Sequence, residues 1–140
     1  MVDEPPLLAS LRVLDLSSGE GDAVSRILAD LGADVLKIEP PGGRATRRDR
    51  PTVAGAGIGF ALDNANKRCA VLDPGAPDDR PRPIELAGTA AVVIASQTPR
   101  TAATFGTSCA ALSQRFDQLL TLSVTDAGAS RRRPRRLRPG

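Results

Sequence analysis

One stretch near the start of the chain constrains the fold more than any other. It reads R-V-L-D-L at Arg12–Leu16, D-A-V-S-R-I-L-A-D-L at Asp22–Leu31, then Gly32, then D-V-L-K-I at Asp34–Ile38. The two outer pieces are short and aliphatic without strict alternation, as strands covered on both faces are. The middle piece places Val24, Ile27, Leu28 and Leu31 at i, i+3, i+4 and i+7, one face of a helix. Gly32 stands where a C-terminal cap belongs, and Asp22 is placed to cap or to complement the positive helix start. Strand, helix and strand joined this closely predict a βαβ unit with parallel strands.

The same strand signal recurs at Cys69–Leu72, Ala91–Ala95 and Leu119–Val124. Between the strands, Ser108–Phe116 reads as a helix opened by Thr107 or Ser108. Pro77–Thr89 holds a short crossover helix that begins near Pro83, because Pro81 and Pro83 supply no backbone donors. The stretch 40–59 is rich in Pro, Gly and Arg and reads as a long loop, a place for function or disorder. The whole predicts an α/β fold: a Rossmann-like open parallel sheet of about five strands with crossover helices. This unit spans residues 7–126.

Composition narrows the chemistry. The 140 residues contain no His, which excludes Ser-His-Asp and Cys-His catalysis and histidine-based metal sites within this chain. There is no Trp or Tyr and there are only three Phe, so the core is built from Leu, Val, Ile and Ala. The formal charge of +3 resides in the tail: residues 131–140 (R-R-R-P-R-R-L-R-P-G) carry six Arg, leaving 13 basic against 16 acidic side chains elsewhere. A nucleic-acid surface across the domain is therefore not expected. Residues 127–140 lack apolar periodicity and are expected to be disordered. Their composition fits either a shifted reading frame or a genuine basic tail. Cys69 and Cys109 show no metal or disulfide spacing, and the acidic start M-V-D-E-P-P has no signal-peptide core. No apolar run is long enough for a membrane span, so a reduced, cytoplasmic setting is expected.

Three segments carry the chemistry. S-S-G-E-G-D at Ser17–Asp22 lies between the first strand and first helix, where backbone amides and a helix start favour pyrophosphate. Glu39 follows at the spacing of a ribose-binding acid. A dinucleotide site is disfavoured, however: the third glycine is missing, Val24 stands in its place, and Glu20 and Asp22 would repel phosphate. Next, Arg44, Arg47, Arg48 and Arg50 beside Gly42-Gly43 offer guanidinium forks matched to phosphate oxygens, or form a hydrated charge cluster. Lastly, N-A-N-K-R at Asn64–Arg68 leads into the third strand. There Lys67 and Arg68 are placed to neutralise phosphates, or else Asn66 fixes a turn and Arg68 pairs with a carboxylate.

L-G-A-D-V-L-K-I-E-P-P-G-G at Leu31–Gly43 and N-A-N-K-R-C-A-V-L-D at Asn64–Asp73, in this order, resemble the start of the class III coenzyme A transferases. That family includes formyl-CoA transferase, carnitine-linked CoA transferases and α-methylacyl-CoA racemase. The resemblance implies an acyl-CoA substrate whose nucleotide end contacts Lys37, Glu39, Arg47, Asn66, Lys67, Arg68 and Leu72, with no metal. It also implies an interlocked homodimer in full-length relatives, which a chain of this length is not expected to form. The sequence departs from the family at Gly21-Asp22-Ala23, where an alanine-glycine-proline triplet is usual. It departs again at Cys69, where serine is usual, and at Ser96, Gln97 and Arg100, where an asparagine, an aromatic residue and a glycine are usual. The family's catalytic aspartate has no counterpart here, and Asp126 lacks its surroundings. The expectation is a truncated or degenerate transferase segment, catalytically silent alone. The alternatives are a standalone CoA- or nucleotide-binding module, or a protein that meets nucleic acid through its basic tail.

Overall fold

The computed structural model describes residues 4–96 and 99–124. Its main sheet has five strands: β1 (Arg12–Leu16), β2 (Asp34–Glu39), β5 (Arg68–Val71), β6 (Val92–Ala95) and β7 (Leu120–Ser123). They lie in the order β5-β2-β1-β6-β7, and every pairing is parallel. The chain thus starts in the middle, winds to one edge, returns past β1 and winds to the other. Strand order reverses between β1 and β6, which leaves a crevice at their carboxyl ends. The expected Rossmann-like α/β architecture is the one observed. Gln97, Asp126 and the basic tail lie outside the described residues.

Alternation along the strands sorts the core into two layers. Leu14, Leu16, Ile38, Val93 and Ala95 point to one face, where Ala87 of α3 (Arg82–Gly88) and Leu112 of α5 (Cys109–Arg115) cover them. Val13, Val35 and Ile94 point to the other, under Ala29 of α1 (Glu20–Asp30). Each layer removes a continuous aliphatic surface from water, which is the main favourable contribution to folding here. The edge strands leave Val71, Leu120 and Leu122 exposed.

Helix α1 forms where expected but presents a different face. Val24 and Leu28 pack on the core, whereas Ile27 and Leu31 are 61% and 41% exposed. The residues it buries are Gly21, Asp22, Ser25 and Ala29. Charges beneath the helix cause this rotation, because Asp22 and Ser25 bond to groups in the sheet. Asp22 is therefore not a cap; Gly19 holds the N-cap position without a side-chain bond. The C-terminus ends as the sequence implies, with Gly32 at φ +99, Gly32 N–H on the Ala29 carbonyl and Ala33 N–H on the Leu28 carbonyl.

The stretch 40–59 is more ordered than a loop. It contains a 3₁₀ turn (Ala45–Arg48), a two-stranded hairpin of β3 (Thr52–Val53) and β4 (Ala56–Gly57), and the start of α2 (Ile58–Asn64). A further helix, α4 (Pro99–Phe105), follows the fourth strand of the main sheet.

Candidate functional site at the carboxyl edge

Two neighbouring strands each place a charged residue on the α1 face, in register: Asp15 on β1 opposite Lys37 on β2. Both are fully buried. The Lys37 Nζ donates to Asp22 Oδ1 and to the Ser17 carbonyl at 3.1 Å, and lies 3.7 Å from Asp15 Oδ2. Lys67 enters from the turn after α2. Its Nζ donates to Asp15 Oδ2 at 3.1 Å, the Asp22 carbonyl at 2.8 Å and Asn64 Oδ1 at 2.8 Å. Asn64 returns a bond to Asp22 Oδ2 at 3.3 Å. The hydroxyls of Ser17 and Ser25 each donate to Asp15 at 2.5 Å. Two carboxylates and two ammonium groups thus balance beneath the first turn of α1, which burial would otherwise make costly. Burial alone would raise the Asp15 carboxyl, yet Lys37, Ser17, Ser25 and Lys67 together hold it below its ordinary range. Burial pushes the Lys67 ammonium down against the pull of Asp15.

Above this network lies the β1–α1 turn, Ser17–Gly19, at the mouth of the crevice. Ser96, just beyond β6, closes on it. The Ser18 N–H donates to Ser96 Oγ at 2.7 Å, and that hydroxyl donates to the Ser18 carbonyl at 3.0 Å.

A second cluster occupies the ends of β2 and β5. The Arg47 guanidinium grips Glu39 by two bonds, Nε to Oε2 at 2.8 Å and Nη2 to Oε1 at 2.5 Å, and lies 4.2 Å over the Phe60 ring. The Arg47 bonds, with a further one from the Arg44 N–H, hold the Glu39 carboxyl down to about 2 although burial opposes them. Beside this pair opens a cavity of about 230 Å³ lined by Ile38, Glu39, Arg44, Leu72, Thr101 and Phe105 among others. Its walls mix aliphatic and aromatic side chains with the polar Glu39, Arg44 and Thr101. Arg44 Nε, also on its lining residue, is buried without a partner. Apolar side chains beside a few polar ones are what a cavity needs to take a flat ring in a fixed orientation.

A family model described as CoA-transferase family III matches residues 8–140. The chain belongs to CoA-transferase family III.

Among members of the family, the chain is 53% identical over 122 residues to the probable CoA-transferase Rv1866 of Mycobacterium tuberculosis. That match covers 84% of this chain and 15% of the relative. It is 40% identical over 93 residues to the succinyl-CoA:mesaconate CoA-transferase of Haloarcula hispanica, covering 62% and 24%. The solved structure of Rv3272 from M. tuberculosis superposes with a TM-score of 0.81 at 30% identity, across 99% of this chain and 39% of the other. A CAIB/BAIF family protein from Brucella suis gives 0.77 at 30% identity, covering 86% and 33%. The chain therefore spans well under half the length of these family members.

Within this CoA-transferase family III segment, the residues singled out from sequence fall into three places. Leu72 and Glu39 line the carboxyl-edge cavity, and Arg47 holds Glu39. Lys37, on an inner strand, and Lys67 belong to the buried network. Asn66 and Arg68 lie on the outer side. Asn66 adopts φ +64 and donates to Asp30 Oδ1 at 2.7 Å, while Arg68 forks onto Asp34 with two bonds of 2.8 Å. Arg48 reaches the Gly42 carbonyl at 3.0 Å. Sequence reasoning missed Phe105, Asn64 and Phe60, all contributed by helices it did not foresee. Cys69 is exposed, and burial of its thiol with the nearby Glu39 raises its pKa, which disfavours a nucleophilic thiolate. Among the described residues, no helix is long and apolar enough to cross a membrane, and no group of three His, Cys, Asp or Glu is placed to hold a metal.

Proposed function

We propose that this segment receives the nucleotide end of an acyl-CoA for a family III CoA transferase, while acyl exchange uses residues outside it. The observation that carries this reading is the cavity at the ends of β2 and β5. It combines the apolar Ile38, Leu72 and Phe105 with the cationic Arg44. An adenine between the apolar side chains and a phosphate oxygen on the Arg44 guanidinium would fit this lining. At about 230 Å³ the cavity is smaller than a site enclosing a whole drug-sized ligand, so it takes one end of the molecule. The crevice at Ser17–Gly19 lies along the same carboxyl edge and takes the part that follows.

Binding rather than catalysis suits the acids present. Asp15, Asp22 and Glu39 are each neutralised by Lys or Arg, whereas an acyl-accepting carboxylate must be free to attack. Calorimetric titration with CoA tests the reading. Leu72→Ala and Arg44→Met should each weaken binding about tenfold, the scale of one buried contact or one charge-assisted bond. Unchanged affinity in both would sink it.

A further inference from the structure

Lys67 sits in the N-A-N-K-R segment, where a cation for a ligand phosphate is the obvious reading. The geometry points elsewhere. An ammonium group has three N–H donors. Those of Lys67 have three acceptors within reach: Asp15 Oδ2, the Asp22 carbonyl and Asn64 Oδ1, at 3.1, 2.8 and 2.8 Å. Its side chain is fully buried. No donor is left for a ligand, and the charge is already matched by a buried carboxylate.

What the three bonds do is join parts of the chain. Asp15, next to last in β1, accepts from the Ser17 N–H at 2.8 Å as well as from the Ser17 hydroxyl. Asp22 opens α1. Asn64 closes α2 and also donates to the Phe60 carbonyl at 3.1 Å. Between Asp15 and Asp22 runs the Ser17–Gly19 turn at the crevice, with Gly19 at φ +62. A cation that bridges both ends of this turn sets its shape.

We propose that Lys67 is a positioning residue: acting through Asp15 and the first turn of α1, it holds the Ser17–Gly19 turn in the form that receives the ligand, and it does not touch phosphate. The ligand half of this proposal rests on the CoA reading above; the turn half does not. Three proteins decide it: the wild-type chain, Lys67→Met, and the charge-balanced pair Lys67→Met with Asp15→Asn. The pair removes the buried carboxylate left uncompensated by the single change, so it serves where Lys67→Met alone fails to fold.

Amide hydrogen exchange without ligand is read at Ser17–Gly21. Exchange should quicken about tenfold in Lys67→Met, the loss of one bond to a charged group, and stay quickened in the pair, which also lacks the bridging cation. Calorimetry with CoA and with 3′-dephospho-CoA is read alongside. Lys67→Met and the pair should each weaken both by the same factor. A phosphate ligand would behave otherwise: turn exchange would stay as in the wild type while affinity fell. That outcome overturns the proposal. If the wild-type chain binds neither ligand while exchange changes as described, the CoA reading fails and the structural role of Lys67 stands.

Discussion

Gly21, in the first turn of α1, lies so close to Ser17 at the end of β1 that a Cβ added to it would fall 2.4 Å from the Ser17 Cβ and 2.7 Å from its Oγ. That approach brings the helix start down onto the sheet and lets Asp22 reach Lys37. The glycine that permits helix and sheet to meet is therefore Gly21, and Val24, one turn later, does not obstruct the contact.

Gly21→Ala should consequently destabilise the protein by about 1 to 3 kcal/mol, the cost of overpacking a closed site, in spite of alanine's better helix propensity. Gly59 provides the control. It also lies in a helix, α2, but an added Cβ meets nothing within 4 Å. Gly59→Ala should stabilise by about 0.5 to 1 kcal/mol. Urea denaturation of the two variants checks the opposite signs. Equal effects would mean that the close packing at Ser17 is relieved by a small shift of the helix.

Among the described residues, Lys37 is the largest side chain with essentially no exposure. Lys37→Met keeps most of the volume but strands the Asp22 carboxylate, which is only 5% exposed, with Asn64 as its remaining side-chain donor besides the distant Ser17 hydroxyl. Removing one partner of a buried pair costs about 3 to 5 kcal/mol, a large share of the stability of a domain this size. Adding Asp22→Asn should return more than half of that loss. The denaturation midpoint of the double variant, compared with the single, measures the recovery.

Acid should weaken the carboxyl edge through Glu39. Its carboxyl titrates near 2 when folded and at an ordinary carboxylate value when unfolded, because Arg47 and the Arg44 amide favour the charged form. A depressed folded value adds stability that is complete above the unfolded pKa and is lost as pH falls from about 4.5 toward 2. Discounted for solvent around the partly exposed Arg47, the contribution is about 1 to 2 kcal/mol. Glu39→Gln should flatten the acid limb of a stability–pH profile by that amount and leave the region above pH 5 parallel to the wild type. An identical acid limb in both proteins would assign the loss to Asp15 instead.

The five strands of the main sheet, their parallel direction and helix α1 were legible because aliphatic runs and helical spacing report burial directly. What the sequence hid has specific causes. Ile27 and Leu31 share a face with Val24 and Leu28 by spacing, yet they point outward, because Asp22 and Ser25 are drawn beneath the helix by charges on β1 and β2. The signal was present: Asp15 and Lys37 interrupt two otherwise aliphatic strands, and buried charges at neighbouring positions have to find partners. Helix α2 is seven residues long and its buried anchors, Phe60 and Asn64, give no apolar periodicity. Helix α4 could have been read from its punctuation, since Pro99 stands at its first position and Gly106, at φ +63, just past its end. Missing α4 meant missing Phe105, and with it one wall of the cavity. Leu72, named from the family resemblance, and Glu39 both line that cavity.

Helix α5 offers a test of how much one cap contributes to the far layer of the core. The helix has seven residues, too few to persist without its packing and its ends. Ser108 stands at its N-cap, and its Oγ accepts the Ala111 N–H at 3.2 Å, one of the donors a helix start leaves unpaired. The helix in turn delivers Leu112, fully buried, against the core layer that holds Leu119 at the entry to β7. Ser108→Ala should therefore lower stability by about 1 kcal/mol, and Ser108→Asp should match or exceed the wild type because its charge also meets the positive end of the helix. Thermal melting orders the three proteins. If alanine and aspartate melt together, the cap bond contributes nothing and the packing of Leu112 alone holds α5 in place.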